Sequence, residues 1–152
     1  MIKNGLFLIL ILSFLQSCGY VPMYASGKSI KINIDEINLT GDWELNNFIR
    51  NSLNRYSSNT ESKKYKINVD TNYLENSISK DATGKTINYE YIIEVKINLI
   101  SENFNKNYIF KESFKMENFS DELTKQNYEK SNKNNIANLI VNKLILQLSR
   151  LQ

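Results

Sequence analysis

The chain has 152 residues, with 19 basic against 16 acidic side chains, a formal net charge of +3 and no histidine. A small charge spread along the chain leaves no basic arm for nucleic acid, and the missing histidine removes the commonest acid–base group and neutral metal ligand. Cys18 is the only cysteine, so no intramolecular disulfide can form.

Lys3 and the free amino terminus precede the apolar run from Leu6 to Leu12, which Phe14 and Leu15 close after Ser13. A short charge followed by a short apolar stretch is the plan of a secretory signal. A membrane-spanning helix needs about 20 apolar residues, and this run stops short of that. Leu15-Gln16-Ser17-Cys18 follows. It resembles the bacterial lipobox: an aliphatic residue, a small residue before the cut, and a thiol that becomes the thioether carrying diacylglycerol. Gln16 is a less usual occupant of its position, and an ordinary secretion signal with an incidental cysteine is the alternative. On the lipobox reading residues 1–17 are removed and Cys18 carries lipid. Several acyl chains on one residue anchor stably where a single chain would not. Gly19 follows the cysteine. By resemblance to enteric-type sorting, the lack of Asp there implies the periplasmic side of the outer membrane.

Residues 18–152 suit one domain. Residues 18–28, with Tyr20, Pro22, Tyr24 and Gly27, read as a lipidated tether, and residues 29–152 as the domain. Lys, Asn and Ile recur in every kind of element, which reads as coding bias. From Ser29 to Ile37 apolar Ile30, Ile32 and Ile34 alternate with Lys31, Asn33 and Asp35, a period of two that predicts a half-buried strand. Thr40-Gly41-Asp42 predicts a turn with N-cap chemistry. Leu45, Phe48, Ile49, Leu53 and Tyr56 then recur at helical steps, predicting an amphipathic helix packed on a sheet.

Tyr65, Ile67 and Val69 alternate in the next strand, which extends toward Tyr73. Asp81 to Lys85 predicts a hairpin connection, Gly84 supplying the positive φ. Tyr89, Tyr91, Ile93, Val95, Ile97 and Leu99 share one face of a long strand, with Glu90, Glu94, Lys96 and Asn98 opposite. Ser101 to Asn107 reads as a polar turn; Tyr108, Phe110, Phe114 and Met116 resume the alternation, with Glu112 intruding. Ser120 is the expected N-cap of a last helix, with Asp121 and Glu122 at the positive end of its dipole. Ile136, Leu139, Ile140, Leu144, Leu148 and Leu151 form its apolar stripe. Its first half is polar, which predicts a segment that frays or stands clear. The resulting fold class is α+β: a four-stranded mixed sheet with two helices packed on it, in the order β-α-β-β-β-α, as a single domain. The last three strands form an antiparallel meander, and the first crosses over through the helix, right-handed by the general rule.

Catalytic signals are lacking: no phosphate loop, nucleophile elbow or metal-ligand cluster stands out. Glu90 and Glu94 share a solvated strand face. The expectation is a protein that is no enzyme and needs no cofactor or metal.

Cys18-Gly19-Tyr20-Val21-Pro22-Met23-Tyr24 resembles the start of mature LPS-assembly lipoproteins of the LptE family, alphaproteobacterial members in particular. The order of elements matches as well, and Asp81, Gly84, Thr86 and Tyr89 fall where the family places a polar turn before its long aromatic strand. The polar, lysine-rich Glu122 to Asn135 departs from the alanine-rich segment many relatives carry. The resemblance implies a non-catalytic subunit of the outer-membrane LPS translocon. Its partners would be the β-barrel LPS-assembly protein (LptD-type), lipopolysaccharide, and the outer membrane through the lipid anchor. Lys80 and Lys85 flank the hairpin and are candidates to pair with lipid A phosphates as point charges, although exposed lysines beside a turn are ordinarily just solvated. Two other classes remain open. One is another tethered scaffold, pilotin-like or an accessory of barrel assembly. The other is an envelope enzyme using carboxylates alone, which would need a cleft with carboxyls at working distance.

Overall fold

Residues 31–59 and 63–150 are described by the computed structural model. Four strands, β1 (Asn33–Gly41), β2 (Lys64–Lys80), β3 (Thr86–Ser101) and β4 (Phe104–Glu117), lie in chain order across one sheet. Helix α1 (Trp43–Asn54) joins β1 to β2, and helix α2 (Glu122–Ser149) follows β4. β1 pairs parallel with β2, while β2–β3 and β3–β4 are antiparallel. This is the α+β single domain, β-α-β-β-β-α with a mixed sheet, that the periodicities predict.

β1 lies further along the chain than the alternation suggests. Ile32 forms an isolated bridge to Ser57 and is fully buried, and the strand proper ends at Gly41. A register shift between Ile34 and Glu36 explains the difference. The extra residue flips the side-chain parity, so that Ile34, Ile37 and Leu39 all pack against the core. Ser29 and Ile30 lie outside the described residues. Thr40 and Gly41 are the last residues of β1, not a turn. Asp42 caps α1, its carboxylate accepting from the Leu45 amide at 2.8 Å.

On α1 Leu45, Ile49 and Leu53 are completely buried, whereas Phe48 is half-buried and Tyr56 lies past the helix, its hydroxyl donating to Asn142 at 2.7 Å. The helical spacing therefore identified the right stripe but not its centre. Ile49→Ala is expected to cost about 2–5 kcal/mol. Phe48→Ala should cost less, since part of that ring already meets solvent. Urea melts that rank Phe48 above Ile49 would place the core on the wrong side of this helix.

β2 runs on to Lys80, beyond the end of β1, and the expected Ser101–Asn107 turn is shorter than predicted because β4 begins at Phe104. Alternation assigns the faces. Tyr65, Ile67, Val69 and Thr71 of β2 and Tyr91, Ile93, Val95, Ile97 and Leu99 of β3 are buried beneath the helices. Phe110, Phe114 and Met116 of β4 share that side. Glu112, the intruder, ion-pairs with Lys143 of α2. The N-cap of α2 is Asp121 and not Ser120: its carboxylate accepts from the Thr124 amide at 2.8 Å. The buried stripe of α2 is Ile136, Ala137, Ile140, Val141, Leu144, Ile145 and Leu148; Leu139 is 42 % exposed and lies off it. Leu151 lies outside the described residues.

Candidate functional site

Cys18 lies outside the described residues. Lys80 and Lys85 are both exposed at the β2–β3 hairpin, where Lys80 is the register partner of Thr86. The turn is pinned by Asp81, whose Oδ1 accepts from the amides of Thr83 at 2.8 Å and Lys85 at 3.0 Å, while Gly84 takes φ 84°. Hydrogen bonds from the Thr83 hydroxyl and the Lys85 amide hold the Asp81 carboxyl below its usual range. Lys85 lines a cleft of about 430 Å³ that also carries Asp81 and Glu117, while Lys80 does not line it. The two lysines therefore do not line one cleft, and Lys85 shares its own with two carboxylates. Glu90 and Glu94 both stand on the face turned away from the helices, and Glu94 pairs with Lys96 at 3.4 Å. Among the described residues no cluster of three His, Cys, Asp or Glu is placed to hold a metal, and no helix is long and apolar enough to cross a membrane.

The polar first half of α2 does not stand clear. Lys133 is buried and meets Glu44 at 3.3 Å, Glu129 at 3.4 Å and Asp42 at 3.6 Å, with its ammonium 3.9 Å from the Tyr73 ring centroid. Desolvation opposes its charge, but Asp42, Glu44 and Glu129 together outweigh it and raise the lysine above its ordinary range. The Tyr73 hydroxyl donates to Glu129 at 2.9 Å; burial first, then that carboxylate, push it far above the usual tyrosine range. Tyr73, Tyr91 and Phe114 stack in a row across β2, β3 and β4, with centroids 5.5 and 4.9 Å apart. Lys125 sits 5.0 Å over Tyr89. Thus α2 docks its charged half on an aromatic platform through cation–π and tyrosine–carboxylate contacts. Apolar periodicity carries no trace of such contacts, which is why the sequence reading missed them.

The face of the sheet opposite the helices carries a second arrangement. Asn38, Asn68, Asn98 and Asn107 are register partners across β1, β2, β3 and β4. Their side chains form a continuous ladder. Asn38 Nδ2 donates to Asn68 Oδ1 at 3.0 Å, Asn68 Nδ2 to Asn98 Oδ1 at 3.2 Å, and Asn98 Nδ2 to Asn107 Oδ1 at 2.7 Å and Asn105 Oδ1 at 2.6 Å. Glu36 closes the β1 end by accepting from Asn38 at 3.1 Å, and its carboxyl is lowered by that bond and by Lys66. The ladder crosses a shallow concavity of about 510 Å³ bordered by Thr40, Asp70, Lys96 and Ile109. These asparagines were legible only as polar positions, because a ladder exists once the register of four strands is set.

No protein-family model and no curated protein matches the sequence. Solved structures do match in fold. Rare lipoprotein B from Shewanella oneidensis superposes with a TM-score of 0.56 at 15 % identity, covering 77 % of this chain and 98 % of that one. A minor lipoprotein from Acinetobacter baumannii gives 0.52 at 12 % identity, over 74 % of this chain and 93 % of that one. The solution structure of an uncharacterized lipoprotein B from Nitrosomonas europaea gives 0.53 at 13 %, over 82 % and 88 %. The shared feature is the fold.

Proposed function

We propose that this chain is a non-catalytic outer-membrane lipoprotein, cut before Cys18 and lipidated there. Its role would be that of a subunit of the LPS translocon, supporting assembly of the β-barrel LPS-assembly protein and delivery of lipopolysaccharide. The observation that carries the reading is a coincidence. A chain that opens with a signal-like run, a lipobox-like tetrapeptide and Cys-Gly-Tyr-Val-Pro-Met-Tyr folds as β-α-β-β-β-α, the fold of solved bacterial lipoproteins. A lipid tether would raise the local concentration of the domain beside a membrane-embedded barrel. The absence of histidine supports a scaffold over an acid–base enzyme.

Two measurements test this. Mass spectrometry of the membrane-derived protein should find an N-terminal peptide that begins at acylated Cys18, and Cys18→Ala should leave an uncleaved precursor. An unmodified Cys18 would sink the lipoprotein reading. Affinity purification from native membranes should recover an LPS-assembly barrel, and depletion should lower both that barrel and surface lipopolysaccharide. Recovery of a different complex with surface lipopolysaccharide unchanged would favour the pilotin-like alternative.

A further inference from the structure

We infer that the open face of the sheet is a saccharide-binding surface, with the asparagine ladder as its recognition element. The inference deepens the delivery role proposed above. It rests on that reading for the source of the sugar, the oligosaccharide portion of lipopolysaccharide, while the site itself rests on geometry.

Exposed asparagine side chains ordinarily sample several rotamers in water. Here the amides fix one another in register across four strands, so little side-chain freedom remains to be lost on binding. The ladder is also directional. Every link runs donor to acceptor from β1 toward β4, and each link polarises the next. Both hydrogens of Asn98 Nδ2 are used, on Asn105 and Asn107. Among the described residues the Nδ2 groups of Asn105 and Asn107 have no acceptor and Asn38 Oδ1 has no donor. A row of satisfied amides thus ends in open donors on β4 and an open acceptor on β1. A ligand that offers hydroxyls able both to accept and to donate, spaced along a chain, fits that pattern.

The surroundings narrow the class. The concavity of about 510 Å³ carries one acid, Asp70, and one base, Lys96, so it favours no net charge. Ile109 is 67 % exposed at its rim and offers an apolar surface to the C–H face of a sugar ring. The Lys85 cleft, by contrast, holds two carboxylates against one cation. The ladder and the apolar lining beside it therefore suit sugar hydroxyls and the C–H faces of sugar rings better than they suit a charged group. Among the described residues that face carries no aromatic platform, so the affinity should be modest, about millimolar.

The test uses the full chain in detergent, titrated in separate arms with the lipid-free oligosaccharide released from lipopolysaccharide by mild acid and with soluble peptidoglycan fragments. The side-chain amide resonances of Asn38, Asn98, Asn105 and Asn107 should shift saturably with the first. An Asn68→Thr variant keeps a good strand former at an outward-facing position, so it should melt as the parent does while binding about fivefold or more weakly. Lys80→Glu with Lys85→Glu should leave the titration unchanged. No shift at saturating oligosaccharide, equal binding by a folded Asn68→Thr, or binding confined to the peptidoglycan fragments would each overturn the inference. Barrel co-purification with Asn68→Thr is the separate readout: recovery of the barrel with saccharide binding lost leaves the translocon reading standing and isolates the ladder.

Discussion

Gly41→Ala is expected to destabilise the domain by about 3 kcal/mol or more, which approaches the whole margin of a small domain. Gly41 ends β1 in register with Thr71 and takes φ 95°. An L-residue in that region is strained by about 1–2 kcal/mol before any contact is considered. A Cβ built there would also sit 1.8 Å from the backbone oxygen of Thr71. That oxygen cannot swing aside like a side-chain tip, because it also accepts from the Asp42 amide at 3.3 Å and belongs to the middle of β2. Relief therefore requires β1 to part from β2 or α1 to lose its cap, and either motion opens the core around Leu45. Gly84→Ala is the control. It too has positive φ, but nothing lies within 4 Å of its Cβ position, so only the conformational strain applies. A chemical melt in which the two variants lose equal stability would show that the close approach at Thr71 does not exist.

The second large effect is expected at Lys133. Its removal would leave Asp42, Glu44 and Glu129, each partly shielded from water, facing one another without a cation. Breaking a fully buried pair costs about 3–5 kcal/mol. These carboxylates keep 23–33 % of their exposure, so about 2–3 kcal/mol is the reasonable expectation for Lys133→Met, which retains much of the aliphatic contact. Glu129→Gln in the Lys133→Met background should recover part of the loss, and a double-mutant cycle would isolate the coupling. Strict additivity would mean that the ion pairs are decorative.

The same site sets an alkaline limit. Lys133 is raised in the folded protein, so its charge is held more tightly there than in the unfolded chain. Its contribution is complete below the ordinary lysine range and is lost as pH climbs through the higher folded value. Tyr73, raised by burial and by Glu129, behaves in the same direction. The stability gap between parent and Lys133→Met should therefore stay constant through neutral pH and narrow above about pH 10. Tyr73 keeps some alkaline sensitivity in the variant. A gap that widened with rising pH would reverse the sign of the argument.

Several features were legible before any fold existed. Alternation in β2 and β3 placed Tyr65, Ile67, Val69 and the odd residues from Tyr91 to Leu99 on one face, because a strand has period two and the two described helices cover one side of this sheet. Asp42, Asp81 and Gly84 were readable because caps and turns are closed by residues two to four positions away. The element order followed, and with it the α+β class. Where periodicity failed, it failed for identifiable reasons. The register shift at Ile34 to Glu36 hid the true extent of β1. Asp121 displaced Ser120 as cap, its carboxylate meeting both the Thr124 amide and the Thr124 hydroxyl.

Local chemistry, then, was written in the chain itself: a signal-like start, a lone cysteine in a lipobox-like setting, the strands, the helices and the turns between them. Only the tertiary structure decided which distant polar side chains meet. Lys133 finds Asp42 and Glu44 across 91 and 89 residues, and Asn38, Asn68, Asn98 and Asn107 become neighbours through strand register. The physical reason is that a hydrogen bond or ion pair between distant residues leaves no periodic mark on either segment, since each partner by itself looks like any other solvated polar residue.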